Sequence, residues 1–199
     1  MIAPKTTKSL DVAVVMPPSP YLANDMAYPP MGLLYLAAAM REWRPQHSVR
    51  VVELGGNIDW REVAKEIEAD VVGIQCVTPN HNIVKEICGL LPEKSVKVVG
   101  GIHPTYLPDV VLEDMSCDIV VQGEGEIEFL NVLDDICAGS WKRKYVAEPV
   151  QEIDLLPMPA LDLVDITKYR PGGDRALTIY TSRLHVFLQV LLDDHGKDL

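Results

Sequence analysis

The amino-acid sequence predicts an α/β protein with a doubly wound, mostly parallel sheet of five strands, in a Rossmann-like or a flavodoxin-like strand order. Two observations lead to this prediction. Five short apolar runs rich in β-branched residues recur between residues 10 and 122, and stretches with helical periodicity lie between them. Such alternation of strand and helix is typical of a parallel sheet with helices on both faces. Both strand orders present equivalent hydrophobic faces, so the sequence leaves the choice between them open.

The five predicted strands are continuous in hydrophobicity rather than alternating. This pattern is typical of strands that are covered on both faces. Each run ends in glycine, proline or a polar cluster, which marks the start of a loop. The predicted strands are Leu10–Met16, Val49–Leu54, Asp70–Val77, Val96–Gly100 and Cys117–Gln122.

The intervening segments place apolar residues at helical spacing. Asp59 precedes one of them and is suited to cap its first turn. The predicted helices are Met31–Trp43, Asp59–Glu68, Asn80–Leu91 and Gly125–Cys137, with a shorter one at Pro108–Met115. In a sheet of this kind the ligand lies at the carboxyl ends of the strands, so the loops there decide the function.

Composition and charge exclude several classes of protein. The 199 residues include 18 basic and 29 acidic side chains, which gives a formal net charge of −11. Affinity for a nucleic-acid backbone needs clustered cations, so no nucleic-acid partner is expected. No apolar stretch reaches the roughly 18 residues of a membrane helix. The polar N-terminal residues lack the apolar segment of a signal peptide, so we expect no membrane span and a cytoplasmic location.

No self-contained catalytic or metal motif is present. The cysteines at 76, 88, 117 and 137 form no Cys-x-x-Cys pair, so they are predicted to be buried thiols rather than zinc ligands or disulfides. The sequence also lacks Gly-x-Gly-x-x-Gly, a Walker A loop and a Gly-x-Ser-x-Gly elbow. We therefore assign no catalytic residue and no metal ligand.

The loop after the first predicted strand is long and rich in proline. Pro17 and Pro18 begin it, and Pro30 and Gly32 lie at its end. Proline fixes φ and removes a hydrogen-bond donor, so five prolines stiffen this loop. Long loops in compact domains usually have a function. The alternative is a rigid connection that binds nothing.

Small and polar residues follow the third and fourth predicted strands. The hydroxyl of Thr78, which precedes Pro79, can cap the next helix, bind a ligand, or do both. Gly100 and Gly101 permit a close approach of the backbone to a bulky group. His103 is interpreted as a hydrogen-bonding structural residue rather than a metal ligand.

The fifth predicted strand leads into Gly123, Glu124 and Gly125. Glycines at a strand–helix junction expose backbone amides at the N-terminus of the helix. These amides favour an anionic or hydroxyl-bearing ligand. A binding loop is therefore predicted here.

Together these motifs resemble a known family. In order along the chain they are Pro17-Pro18, Tyr28-Pro29-Pro30-x-Gly32-Leu33-x-Tyr35-Leu36-Ala37, Gly100-Gly101-x-His103-Pro104-Thr105 and Val121-x-Gly123-Glu124-Gly125-Glu126. The series is similar to the N-terminal cobalamin-binding domain of B12-dependent radical S-adenosylmethionine (SAM) enzymes, over about residues 10–183. Each motif alone is weak, but four of them in this order are specific.

The resemblance implies a Rossmann-like domain that holds a corrinoid across the carboxyl ends of its strands, with the nucleotide tail entering the edge of the sheet. It implies that the tail is lined by Thr78, Gly100, Gly101, Gly123 and Gly125, and that the loop from Pro17 to Gly32 approaches the ring. The predicted cofactor-binding set also includes Pro17, Pro18, Pro30, Gly32, Pro79, His103 and Glu124.

The chain departs from related patterns at two places. It lacks the Asp-x-His-x-x-Gly motif that supplies a histidine to cobalt in mutase-type domains, so we expect base-off cobalamin with no protein histidine on the metal. In the family, the strand that Ala176–Ser182 resembles leads into a Cys-x3-Cys-x2-Cys motif, but no cysteine follows Cys137 here. The 4Fe-4S cluster and SAM are therefore expected only in a full-length parent, and the isolated chain is expected to be inactive.

These features predict three segments. Residues 1–147 form the cobalamin-binding-like domain, in which Trp141–Ala147 is a strand or a hairpin arm. Residues 148–175 form a proline-rich acidic linker. Residues 176–199 are the start of a truncated radical SAM barrel followed by a non-matching tail.

The predicted function is that of an accessory module, which positions cobalt for methyl transfer or related radical chemistry in the barrel of the parent chain. The alternative is a non-binding scaffold domain of the same fold that only docks against a partner. Response-regulator signalling is disfavoured, because Val77-Thr78-Pro79 stands where a phosphorylatable aspartate would be needed.

Overall fold

The computed structural model describes residues 8–169. In this part of the chain six strands form one sheet, and all pairs of neighbouring strands are parallel. The strands are β1 (Asp11–Met16), β2 (Ser48–Glu53), β3 (Val71–Gln75), β4 (Val96–Gly100), β5 (Ile119–Gln122) and β6 (Lys144–Val146). Their order is β2-β1-β3-β4-β5-β6, which is the flavodoxin-like alternative. The predicted fold class is confirmed.

Six helices connect the strands. They are α1 (Met31–Trp43), α2 (Trp60–Lys65), α3 (His81–Leu90), α4 (Ile102–Tyr106), α5 (Pro108–Asp114) and α6 (Gly125–Ala138). The side chain of Asp59 caps α2 as predicted, because it accepts a hydrogen bond from the amide of Arg61 at 3.2 Å. None of the helices within residues 8–169 is long and apolar enough to cross a membrane.

Both faces of the sheet are covered, which explains the continuous hydrophobicity of the strands. Val12 and Val14 point to the face that α1 and α6 cover, whereas Ala13 and Val15 point to the face of α2, α3 and α5. All four side chains are fully buried. Successive residues of a strand point to opposite sides, so a strand with apolar cover on both sides needs no polar alternation.

The strand count differs from the prediction, because the sheet has six strands and not five. The additional strand, β6, pairs in parallel with β5, with Tyr145 beside Val121. The hairpin-arm interpretation of Trp141–Ala147 is therefore wrong, whereas the strand interpretation is confirmed. The reason that β6 was not counted is its sequence: it is three residues long, and only Tyr145 is buried.

After β6 the chain crosses the outer side of α1 as an extended segment, residues 147–169, which we call the strap. It contains three short 3-10 turns, Ile153–Leu155, Leu161–Leu163 and Ile166–Lys168. Ala160 packs against Ala37 and Ala38 of α1, and its amide donates to the carbonyl of Leu34 at 3.1 Å. The strap belongs to the predicted linker, whose limits stay a prediction. Residues 170–175 and the predicted strand Ala176–Ser182 lie outside the described residues.

A buried ion pair joins the C-terminal end of α1 to α6. The guanidinium of Arg44, the residue after α1, donates to both carboxylate oxygens of Asp134 at 2.9 and 2.7 Å. Both side chains are at most 1 % exposed. A fork-to-fork pair of this kind fixes the relative position of two helices as well as neutralising both charges.

Candidate functional site

The loops that carry the predicted motifs meet at the carboxyl ends of the strands, where a cavity of about 220 Å³ opens between the sheet and helices α1 and α6. Its lining is mostly apolar or glycine. The lining residues are Val14, Gly32, Leu33, Leu36, Gly73, Ile74, Gln75, Val98, Gly100, Gly101, Val121, Gly123, Glu124, Gly125, Glu126 and Phe129. Six of the twelve predicted cofactor-binding residues therefore line one cavity.

Gly73, in the middle of β3, lets the ring of Phe129 from α6 approach the sheet. A Cβ atom at this position would lie 3.2 Å from Cζ of Phe129, which is closer than ordinary contact. The absent side chain therefore brings the Phe129 ring against the sheet as one wall of the cavity. Sequence reasoning missed both residues. The available signal was a glycine inside an apolar strand, which often marks a close approach.

The two glycines after β4 differ in their surroundings. Gly101 has φ +110°, and a Cβ atom there would lie 2.7 Å from the carbonyl oxygen of Cys76. Only glycine allows the backbone to lie this close to the residue that follows β3. Gly100 has its nearest such contact at 3.9 Å, to the carbonyl oxygen of Val121, and its backbone is not strained. Gly100 therefore leaves space at the cavity.

The loop after β5 is tied to the loop after β4 through Thr105. The amide of Gly123 donates to the Thr105 hydroxyl at 2.9 Å, and this hydroxyl donates to the carbonyl of Gly101 at 2.7 Å. Gly123 has φ +81°, which points its amide at the threonine and strongly favours glycine. One side chain thus holds both glycine loops in register beside the cavity.

Glu124 and Gly125 begin α6 at the mouth of the cavity. A carboxylate oxygen of Glu124 accepts a hydrogen bond from the amide of Val150 at 2.8 Å, so Glu124 anchors the strap. A Cβ atom on Gly125 would meet Leu36 of α1 at 3.6 Å, which is ordinary contact. Glu126 is 93 % buried, on a relative exposure of 7 %. The N-terminus of α6 is therefore at once a wall of the cavity and the attachment of the strap.

The long first loop is fixed by buried prolines at both of its ends and by a hydrogen bond to the loop after β2. Pro17 and Pro18 are buried directly after β1, and Pro30 is buried at the residue before α1. A carboxylate oxygen of Asp25 accepts a hydrogen bond from the amide of Gly56, which joins this loop to the loop after β2. The three prolines thus shape the loop but do not line the cavity.

Gly32 lies in the first turn of α1 on the cavity wall. A Cβ atom there would meet nothing within 4 Å, and the position is exposed. Tyr21 and Tyr28, in the preceding loop, are 67 % and 58 % exposed. The first loop therefore presents the exposed rings of Tyr21 and Tyr28 to the solvent, and Gly32 leaves open space on the wall of the cavity.

Three predicted residues, Thr78, Pro79 and His103, lie at the same edge of the sheet but do not line the cavity. Nδ1 of His103 lies 3.1 Å from the hydroxyl oxygen of Thr78. No side chain caps α3, and the side-chain oxygen of Asn80 instead accepts from the amide of Val77 at 2.9 Å, across the 3-10 turn Thr78–Asn80. Thr78 thus does not cap the helix, and whether these three residues contact a ligand stays a prediction.

His103 is 94 % buried, on a relative exposure of 6 %, and its second ring nitrogen contacts His81 at 2.8 Å. Burial, together with the neighbouring His81 ring, lowers the pKa of His103 below its ordinary value. His103 is therefore a neutral, hydrogen-bonded residue, in agreement with the structural role expected for it. Between residues 8 and 169, no three histidine, cysteine or acidic side chains converge as metal ligands.

The three buried thiols are unreactive near neutral pH. Burial raises the pKa of Cys76 and Cys88 to about 12 and that of Cys117 to about 11. The thiolate is the nucleophile and metal ligand, so these groups stay protonated near neutral pH. No disulfide forms among the four cysteines.

Comparison with known proteins assigns the family. Residues 25–133 match the family model of the B12 binding domain. An uncharacterized methyltransferase from Pyrococcus horikoshii is 30 % identical over 202 residues, covering 88 % of this chain and 43 % of the relative. Cytidylyl-2-hydroxyethylphosphonate methyltransferase from Streptomyces wedmorensis is 28 % identical over 175 residues, covering 70 % of this chain and 32 % of the relative. The chain thus spans less than half the length of these curated relatives.

The fold is shared with a solved structure. The cobalamin-dependent S-adenosylmethionine radical enzyme OxsB, with aqua-cobalamin and S-adenosylmethionine bound, matches with a TM-score of 0.61 and 18 % identity. The match covers 79 % of this chain and 25 % of OxsB. At this identity the match establishes the α/β fold.

The family match extends from the first loop to α6, so it includes every loop that lines the cavity. The resemblance noted from the motifs is confirmed: this chain belongs to the B12-binding domain family.

Proposed function

We propose that this domain binds cobalamin, with the nucleotide tail in the cavity between the sheet and helices α1 and α6. The corrin ring then lies over the carboxyl ends of the strands, against the loop from Pro17 to Gly32. One observation supports this above all: the cavity is lined by Gly32, Gly73, Gly100 and the glycines at 101, 123 and 125. At Gly32 and Gly100 a Cβ atom would meet nothing closer than 3.9 Å, so the missing side chains there leave room for a flat group.

The chemistry of the cavity fits the tail of cobalamin. Its walls are largely aliphatic or aromatic, as the rings of a base require, and Gln75 supplies a polar group among them. The amide of Gly125, in the first turn of α6, is suited to the anionic phosphate of the tail. The exposed tyrosines of the first loop offer apolar area for the ring outside the cavity.

The proposal includes a corrinoid with no protein histidine on cobalt. His81 and His103 lie near the carboxyl ends of the strands, but the nitrogens that face each other are 2.8 Å apart and hydrogen-bonded. The second nitrogen of each ring also has a partner, Thr78 or Asp114. Metal ligation by either ring would require that one of these hydrogen bonds be broken.

We further propose that the domain is the accessory module of a radical SAM enzyme. Two relatives are named as methyltransferases, and the solved relative is named as a SAM radical enzyme. In such a parent the cobalamin supplies methyl-group transfer or related radical chemistry, and a barrel supplies the 4Fe-4S cluster and SAM. The residues of this chain hold the cofactor, exclude water from its tail and present its ring to the barrel.

A pair of matched glycine substitutions tests cobalamin binding. In the substitution Gly32→Leu the new side chain enters open space on the cavity wall, whereas Gly89→Leu places the same side chain on α3, away from the cavity. Both remove a glycine from a helix, so neither should destabilise the fold. We expect Gly32→Leu to weaken binding of hydroxocobalamin by about tenfold or more, which corresponds to ~1.4 kcal/mol of lost contact.

Binding is measured by the visible spectrum and by retention of the corrinoid on gel filtration, under anaerobic and reducing conditions. Gly89→Leu should bind like the unchanged chain. The proposal fails if the unchanged chain retains no corrinoid, and that result would favour the scaffold alternative. Equal binding by the two variants would place the tail somewhere other than this cavity.

A further inference from the structure

A chain of hydrogen bonds runs from the carboxyl end of β3 to the outer surface beside α3. The hydroxyl oxygen of Thr78 lies 3.1 Å from Nδ1 of His103, and Nε2 of His103 lies 2.8 Å from Nδ1 of His81. Nε2 of His81 lies 2.8 Å from a carboxylate oxygen of Asp114. The other oxygen of Asp114 accepts a hydrogen bond from the ammonium group of Lys85. Five side chains from four segments are thus joined in series.

The number of protons on the two rings fixes the direction of the bonds that join Thr78, His103 and His81, whereas Asp114 accepts from His81 and Lys85 in either state. When both rings are neutral, Asp114 accepts a hydrogen bond from Nε2 of His81, so Nδ1 of His81 carries no hydrogen. His103 must then donate from Nε2 to His81, and its Nδ1 accepts from the Thr78 hydroxyl. In this state the hydroxyl hydrogen of Thr78 points inward.

One added proton reverses the series. A protonated His81 donates from Nε2 to Asp114 and from Nδ1 to His103. Nε2 of His103 then becomes the acceptor, and its hydrogen resides on Nδ1, which donates to the Thr78 oxygen. Thr78 keeps its own hydrogen, which is now free to point outward. In the balance, one proton is taken up at Nδ1 of His103 and the hydrogen on Nε2 of His103 passes to Nδ1 of His81, so that two N–H bonds form and one breaks.

We propose that Thr78, His103, His81 and Asp114 form a proton-linked switch, which sets whether the Thr78 hydroxyl donates inward to the protein or outward to a ligand at the carboxyl ends of the strands. This inference deepens the proposed function and rests on it for the identity of the ligand, cobalamin. The switch itself is a property of the protein without ligand.

The surroundings favour a single added proton on the pair of rings. His81 faces the carboxylate of Asp114 on α5, with Lys85 of α3 on the far side of that carboxylate, and its ring meets His103 of α4 edge to face at 4.7 Å. His103 is deeply buried, and the charge on His81 disfavours a second charge there; both effects lower its pKa. The thiol of Cys76, at the end of β3, stays protonated because its pKa is about 12.

Thr78 is well placed to transmit the change. It is exposed, and it begins the 3-10 turn Thr78–Asn80 close behind β3, at the end of the sheet where the cavity opens. A hydroxyl that rotates by one hydrogen-bond position requires no movement of the backbone. The cost of switching is therefore confined to the proton uptake.

The first experiment reads the tautomer of His103 in the chain without cobalamin. Nitrogen-15 correlation spectra of the histidine rings are recorded from about pH 8 to about pH 5, the range in which imidazoles change charge. We expect the hydrogen of His103 to move from Nε2 to Nδ1 when the pair of rings takes up one proton. Asp114→Asn should weaken this change, because an amide can donate as well as accept and no longer fixes a hydrogen on Nε2 of His81. Asp109→Asn, on the same helix and away from the series, should leave it in place.

The second experiment measures hydroxocobalamin affinity over the same pH range. We expect the affinity to rise by about three- to tenfold toward low pH, the effect of one additional hydrogen bond. Thr78→Val should abolish this pH dependence and Thr78→Ser should restore it. A merely structural role of Thr78 would change the affinity equally at every pH.

The two experiments separate the switch from the proposed function. If the hydrogen of His103 stays on the same nitrogen over the whole pH range, the switch is refuted, whether or not cobalamin binds. If the tautomer changes but no corrinoid is retained at any pH, the proposed function fails and the switch is retained without this ligand. An affinity that is independent of pH in the unchanged chain would refute the outward role of Thr78.

Discussion

Gly100 and Gly101 are neighbours, yet the structure demands glycine at only one of them. Gly101 combines a positive φ with a missing Cβ that would lie 2.7 Å from a backbone oxygen, whereas Gly100 has neither constraint. The paired glycines in the sequence predicted a close approach to a ligand. At Gly101 the structure shows instead a close approach of two protein segments, which alone suffices to require glycine.

Gly101→Ala and Gly100→Ala should therefore differ in stability. We expect Gly101→Ala to lower the free energy of unfolding by about 1–3 kcal/mol or more, because backbone strain and the contact with Cys76 act together. Gly100→Ala should unfold close to the unchanged chain. Urea titration followed by far-ultraviolet circular dichroism measures both. Equal losses in the two variants would contradict the assignment of strain to Gly101.

The ion pair of Arg44 and Asp134 and that of Arg41 and Asp162 have similar distances but opposite surroundings. Both have a closest approach of 2.7 Å. The first pair is buried and the second is roughly half exposed on each side. Removal of one buried partner leaves a charge that water cannot reach, so distance alone does not indicate importance.

Asp134→Ala should lower the free energy of unfolding by about 3–5 kcal/mol, because it leaves Arg44 buried without its counter-charge. Asp162→Ala should have little effect, because water replaces the lost partner of Arg41. Thermal unfolding of the two variants under identical conditions provides the measurement. Comparable melting temperatures would show that Arg44 finds another partner.

At the scale of elements, sequence patterns predicted the long helices well and the short elements poorly. Helix α1 has the predicted bounds, because its apolar residues repeat at helical spacing over 13 residues. Helix α4 was not predicted, since it has five residues, one of them proline. The sequence left a strand and a hairpin arm open for Trp141–Ala147, and the fold decides for the strand, since Tyr145 is buried beside β5 and its hydroxyl donates to Asp135 at 2.9 Å.

The strap is held on α1 by small side chains, and a larger one should displace it. We expect Ala160→Leu to cost about 1–3 kcal/mol of stability through overpacking against Ala37 and Ala38. It should also make the strap more accessible to limited proteolysis. Ala138→Leu, at the exposed end of α6, is the matched control and should change neither property. An unaltered cleavage rate in Ala160→Leu would mean that the contact does not hold the strap.

At the scale of the molecule, the sequence located the functional edge but not the cavity. The motifs identified the loops after β1, β3, β4 and β5, because turn chemistry is local and readable. The walls that come from Leu33, Leu36 and Phe129 were missed. From the sequence, an apolar residue on a helix can be assigned only to the hydrophobic core. Which core residues leave a cavity between them depends on how the sheet packs against α1 and α6.

The cysteines offer a test of the whole core. Cys76, Cys88 and Cys117 are buried and their pKa values are raised to between about 11 and 12, whereas Cys137 is partly exposed. A raised pKa keeps each thiol protonated below that pH, so at pH ~8 we expect at most Cys137 to react with a thiol reagent. In denaturant all four should react. Rapid reaction of more than one thiol in the native protein would contradict this packing.

The path of the strap also determines at which end of the sheet the described part of the chain finishes. It begins beside β6, at one edge of the sheet, and by Lys168 it has come close enough to Glu53, the last residue of β2, to influence its charge. The polypeptide thus travels from one edge of the sheet to the other and arrives at the end where the cavity opens. A domain joined soon after this point would lie beside the cavity on a short tether. Short tethers give a high effective concentration, so even a weak interface between the two domains would remain engaged.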